Sequence, residues 1–161
     1  MKPDVSHKQI PTEILLPFLK ELLQNGKSVN MTVTGNSMLP LFRDKMDSVL
    51  LERPGIIKKF DIVLYVKEDG QAILHRIVKR RKDGYMIVGD NQIQLDGPIA
   101  PSQIVAVVTG FYRNKHFFSC TKWWCRLYGF VWGHLRLVRR PLIPLLYSGL
   151  RLMKRIERMG K

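Results

Sequence analysis

Between residues 13 and 25, EILLPFLKELLQN, apolar side chains fall at Leu15, Phe18, Leu19, Leu22 and Leu23. That i, i+3, i+4, i+7, i+8 spacing lines one face of a helix. Gly26 supplies a stop, while Pro17 leaves the start open because it removes one helical N–H. From residue 28 onward the period changes. Residues 29–34, 47–52, 61–66, 71–79, 85–88 and 104–112 are short segments rich in β-branched and aromatic side chains, the composition of strands. Two of the gaps between them, Glu68-Asp69-Gly70 and Lys82-Asp83-Gly84, carry hairpin chemistry. The pattern predicts a mainly β protein: an N-terminal helical segment over 1–27, then a compact antiparallel β-domain over about 28–113.

After residue 113 the chain changes character. Residues 117–159 mix tryptophan, tyrosine and leucine with arginine and lysine, and Pro141 and Pro144 divide them into two amphipathic helices, about 121–139 and 145–159. The chain has 161 residues and a net charge of +14, from 27 Lys and Arg against 13 Asp and Glu. Residues 111–161 hold 12 of those bases and a single acid, Glu157. A nearly neutral domain is thus followed by a basic, aromatic tail over 114–161, and such a tail calls for an anionic partner.

Trp123, Trp124, Trp132, Tyr128 and Tyr147 are of the types favoured at membrane–water interfaces, so the expected partner is an anionic membrane surface, with the cytoplasmic face favoured over the external one. The alternative is a helical pair packed on the β-domain with a solvated basic face. No run of 18 apolar residues is present, and no simple spanning helix is expected. The opening residues lack the basic-then-apolar order of a secretory signal. No nucleic-acid motif accompanies the charge, and no nucleic-acid partner is expected. Cys120 and Cys125 are too few for a disulfide scaffold or a metal site of their own; no metal or cofactor is expected. If the active site lies wholly in the β-domain, a chain ending near Arg113 should be soluble and active on a small peptide.

Three segments carry candidate chemistry. Thr34-Gly35-Asn36-Ser37-Met38-Leu39-Pro40 follows a strand, and its glycine permits a sharp turn that exposes the serine hydroxyl. His75 sits inside the strand ILHRIV, where a buried histidine bonded to a carbonyl is the plainer alternative. Asp90 and Asp96 lie in the stretch Gly89-Asp90-Asn91-Gln92-Ile93-Gln94-Leu95-Asp96-Gly97-Pro98, where carboxylates commonly serve as turn formers.

Together these segments resemble the signal-peptidase and LexA-type-repressor superfamily of serine proteases. Ser37-Met38-Leu39-Pro40 is similar to its Ser-Met-x-Pro nucleophile box, Lys59-Phe60-Asp61-Ile62-Val63 to its (R/K)-x-D-I-V strand, Leu74-His75-Arg76-Ile77 to its base strand, and Gly89-Asp90-Asn91 with Asp96 to its closing box. The four stand in the family's order over residues 33–110. Histidine rather than lysine at position 75 resembles the endoplasmic-reticulum and archaeal type of signal peptidase. The resemblance implies Ser37 as nucleophile, His75 as general base and Asp96 as its orienting carboxylate, with Asp90 in a supporting role. It also implies the Ser37 backbone N–H as oxyanion donor, Met38 and Pro40 in substrate binding, and cleavage of a leader or signal segment from a precursor peptide or protein.

A histidine base suits the chemistry. A lysine would have to fall from a pKa of about 10.4 to near 7, whereas imidazole starts near 6.5 but needs a partner to hold its tautomer. The chain also departs from the family: residues 1–27 hold neither a membrane anchor nor a DNA-binding domain, and Gly35 stands where many relatives place a second oxyanion hydroxyl. A non-catalytic module that keeps the fold and binds membrane or nucleic acid is the alternative reading.

Overall fold

The computed structural model describes residues 12–135. Helix α1 (Thr12–Gln24) leads into β1 (Val29–Thr32), β2 (Asp47–Glu52), β3 (Ile62–Val66), β4 (Ala72–Arg81), β5 (Gly84–Val88), β6 (Asp96–Ile99), β7 (Ile104–Arg113) and β8 (His116–Ser119), and helix α2 (Trp123–His134) follows. The strands form one antiparallel sheet in the order β1-β2-β7-β3-β4-β5-β6, with β8 folded back on β7. The mainly β fold with a helix at each end is the expected class. Two strands have no counterpart in the hydropathy pattern. β6 reads Asp-Gly-Pro-Ile and exists through its pairing with β5; Pro98 is tolerated there because β6 is an edge strand. β8 is likewise held by its neighbour β7.

Register decides which side chains share a face. Val63 pairs with His75 and Tyr65 with Ile73, so these four project together, while Ile62, Leu64, Leu74 and Arg76 project the other way. Each face has its own core. One gathers Leu19 and Leu23 of α1, Met38, Leu41 and Phe42 of the loop after β1, and Val49, Leu51 and Leu64 of the sheet. The other gathers Val63, Tyr65, Ile77, Tyr85, Ile87 and Ile99. His75 thus faces the second core and Arg76 the first.

The apolar arc of α1 is wider than the seam it buries. Leu19 and Leu23 are buried and Leu16 packs beside them, but Phe18 remains 60% exposed. At 100° per residue, Phe18 lies well round the helix from the Leu16–Leu19–Leu23 seam, which corrects the expectation that it belongs to the buried face.

The long loop between β1 and β2 carries Ser37 and is pinned at its base by Asp47. That carboxylate accepts hydrogen bonds from the Arg43 backbone N–H and from the guanidinium groups of Arg43 and Arg113. Burial alone would raise its pKa, but these bonds outweigh burial and hold it at about 2.

Helix α2 is part of this body. Trp124 and Tyr128 pack on the first core, Cys125 and Gly129 are buried, and the Trp132 indole N–H donates to the Asp90 carbonyl at 2.7 Å. The described half of the tail is therefore docked on the sheet, as in the packed-helix alternative. The remaining tail, including the second expected helix over 145–159, lies outside the described residues. This packing reverses the expectation for a chain ending near Arg113. Such a chain loses Phe118 and Trp124 from around Phe111 and uncovers Arg76, so it should fail to show the cooperative thermal unfolding of the full chain. A full-length melting temperature in the truncated protein would contradict this packing role for α2.

Candidate active site

The nucleophile loop leaves β1 at Thr32 and turns at Gly35, whose φ of 86° favours glycine. The Gly35 N–H is taken by the Asp44 carboxylate at 2.8 Å, and Met38 is driven into the core at 1% exposure. Ser37, between these anchors, lines a cleft of about 750 Å3. Among the described residues the Ser37 N–H donates to no protein acceptor. The donor implied by the family resemblance is thus available, and Gly35 is already engaged. Met38 reaches the cleft from the core side. Pro40 is exposed and does not line the cleft, so the structure does not bring it to the site as a substrate contact.

The loop after β5 closes the site from the opposite side. The Asn91 N–H donates to the Ser37 carbonyl at 2.7 Å, and the Asn91 amide donates to the Asn36 carbonyl at 3.1 Å. Gly89 is required by close approach. A Cβ there would lie 2.6 Å from the Ser37 carbonyl oxygen and 2.9 Å from His75 Nε2. The imidazole Nε2 and the serine backbone therefore flank one methyl-sized space, which only glycine leaves open.

His75 is 3% exposed on the interior strand β4, and its two nitrogens look in different directions. Nε2 faces the Ser37 loop; Nδ1 lies 3.3 Å from Asp96 Oδ2, at ion-pair distance but without hydrogen-bond alignment. Burial lowers the imidazole pKa below its ordinary value of 6.5, and Asp96 offsets only part of this. The ring is consequently neutral at pH 7, the form a base requires.

Asp96 opens β6 and borders the same cleft. Two of its neighbours have no place in the sequence motifs. The Tyr65 hydroxyl donates to Asp96 Oδ2 at 2.7 Å, and Lys67 Nζ stands 3.7 Å from Oδ1. Strand parity is the signal that could have found Tyr65, since it lies two residues beyond Val63, the partner of His75, on the same face. Among the described residues Lys67 is also the lysine that borders the cleft.

Asp90 is not in the cleft. It forms a two-pronged ion pair with Arg76 at 2.7 and 2.8 Å, both side chains 1% exposed, on the face opposite His75. The Tyr128 ring of α2 covers the guanidinium, and Gly129 lets the helix approach it. The support Asp90 gives is mechanical: it fixes the turn whose next residue, Asn91, holds Ser37.

The arrangement joins a loop serine, a neutral buried imidazole and a carboxylate on one cleft wall, the set of groups used in serine-based acyl transfer. No curated protein matches the chain. A family model described as Peptidase S24-like matches residues 3–109, a span that holds the Ser37 loop, His75 and Asp96, and the chain belongs to that family, with its serine-protease type of fold.

Proposed function

We propose that the protein is a serine endopeptidase of the histidine-base signal-peptidase type, which removes a leader or signal segment from a precursor at a membrane surface. One observation carries the reading: His75 stands between Asp96, on its Nδ1 side, and the Ser37 loop, on its Nε2 side. In this scheme His75 Nε2 takes the Ser37 proton as the hydroxyl attacks the scissile carbonyl. Asp96 steadies the imidazolium that forms, and the Ser37 N–H meets the oxyanion. The imidazolium then returns the proton to the leaving amine, and water repeats the cycle on the acyl-enzyme. A cleft of about 750 Å3 has room for several residues of an extended peptide. Loss of cleavage in Ser37→Ala is the test of the assignment.

Support for the membrane surface comes from the outward side of α2. Trp123 is 75% exposed, and Leu127, Phe130, Val131 and Leu135 continue the same apolar face. Among the described residues no helix is long and apolar enough to cross a membrane. The full chain should therefore bind vesicles containing anionic lipid, with each basic residue adding about 1 kcal/mol at low salt. Trp123→Ser/Phe130→Ser should weaken that part of the binding that survives high salt, since the apolar contribution is not screened. Vesicle flotation at low and high ionic strength measures both; a full chain that stays behind at low salt counts against the membrane.

A further inference from the structure

We propose that Tyr65 and Lys67 are positioning residues of this site, holding the Asp96 carboxylate in the orientation that His75 requires. The inference rests on the triad reading of Ser37, His75 and Asp96.

Asp96 stands at the start of a four-residue edge strand, and its side chain is 26% exposed. β6 is registered to β5 at only two positions, Ile87 with Asp96 and Tyr85 with Ile99. A carboxylate on so short an edge is free to turn about its side-chain torsions unless something else fixes it. Tyr65 is placed to do so. It lies on β3, bounded by β4 and β7, and is fully buried. Its hydroxyl donates to Oδ2, the same oxygen that faces His75 Nδ1, while Lys67 approaches Oδ1 from just beyond the strand. Each carboxylate oxygen thus has its own restraint, one from a rigid strand and one from a cation.

The restraint is also electrostatic. The charges that act on His75 are Asp96 from β6 and Lys67 from the β3–β4 turn, which border the same cleft, and more weakly Asp90 from the opposite face, where Arg76 compensates it. Burial, then the hydrogen bond to Asp96, hold the Tyr65 phenol well above its usual range, so it remains a donor. The hydroxyl and the ammonium together draw charge from Asp96. The carboxylate can then orient the imidazole without locking a proton on it, leaving the base neutral at working pH. The Tyr65 ring packs on His75 at 6.1 Å between centroids, a contact that phenylalanine would keep.

The test pairs two variants with two readouts. The first readout is an NMR titration of the His75 ring in the full chain without substrate, assigned by comparison with His75→Gln. The second is the pH profile of kcat/KM on a cleavable peptide, with Ser37→Ala as control. Tyr65→Phe should lower the plateau of kcat/KM about tenfold, the loss of one hydrogen bond to a charged group. Both Tyr65→Phe and Lys67→Met should move the His75 titration to higher pH, because the first removes a donor that shares Oδ2 with His75 Nδ1 and the second a cation that opposes the imidazolium. Lys67 is partly exposed, so Lys67→Met reports on the network even if Tyr65→Phe impairs folding. A titration that stays in place or moves down in either variant, or a wild-type plateau in folded Tyr65→Phe, overturns the proposal. If Ser37→Ala cleaves like the wild type, the triad reading fails on its own account, and the NMR shift still decides whether Tyr65 and Lys67 govern Asp96.

Discussion

Asp90→Ala should cost the fold about 3–5 kcal/mol, the range for removing one partner of a buried ion pair. The Arg76 guanidinium is fully enclosed. It gives two hydrogen bonds to Asp90 and one to the Phe60 carbonyl, and the Tyr128 ring lies over it. Burial opposes its charge, but Asp90 more than offsets that, so the guanidinium stays charged. Without Asp90 that charge loses its ion-pair partner among the described residues. Urea unfolding should show a lower midpoint with an unchanged slope. The double replacement Arg76→Met/Asp90→Leu, which removes both charges, should recover much of the loss. The sequence motif alone ranks Asp90→Asn as a milder catalytic lesion than Asp96→Asn. The structure moves its main effect to stability, with activity following through Asn91 and the Ser37 carbonyl. An Asp90→Ala protein with the wild-type midpoint would contradict this role.

Ser37→Ala and His75→Ala should each lower kcat by a factor on the order of 10³ or more, because triad members act as one unit. Asp96→Asn should follow with a loss of about a thousandfold, since an amide cannot stabilise the imidazolium as a carboxylate does. The pH profile carries a sign. A base must be unprotonated, so activity falls as pH drops through the His75 pKa. Burial lowers that pKa, and the acidic limb should therefore lie below 6.5, the ordinary imidazole value. A limb that instead rises beyond about pH 9 would name an amine as base, and among the described residues Lys67 is the lysine at the cleft.

The candidate site was legible from four segments taken together, not from single residues. Alone, Ser37 reads as a turn serine and His75 as a buried histidine bonded to a carbonyl; their order along the chain with Asp61-Ile62-Val63 and the Gly89-Asp90-Asn91 turn is what marks them. The first limit was Asp96. Its turn-like surroundings conceal a strand, because β6 owes its existence to pairing with β5 rather than to its own side chains. The second was Tyr65, an ordinary core residue until register sets it on the His75 face. The third was α2. An apolar, aromatic helix with basic neighbours suits a bilayer or a sheet equally well by composition. What sends one side of α2 inward is specific: Gly129 admits Arg76, and Trp132 meets the Asp90 carbonyl.

Endopeptidase activity at Ser37 is the central claim, and it can be measured most directly on a mixture of substrates rather than a chosen one. A proteome-derived peptide library incubated with the purified full chain, with new N-termini labelled and identified, reports cleavage at any site. A defined set of new N-termini is expected with the wild-type protein, absent with Ser37→Ala and with His75→Ala. The same set appearing with Ser37→Ala, or no new N-termini with the wild-type protein, would contradict the claim.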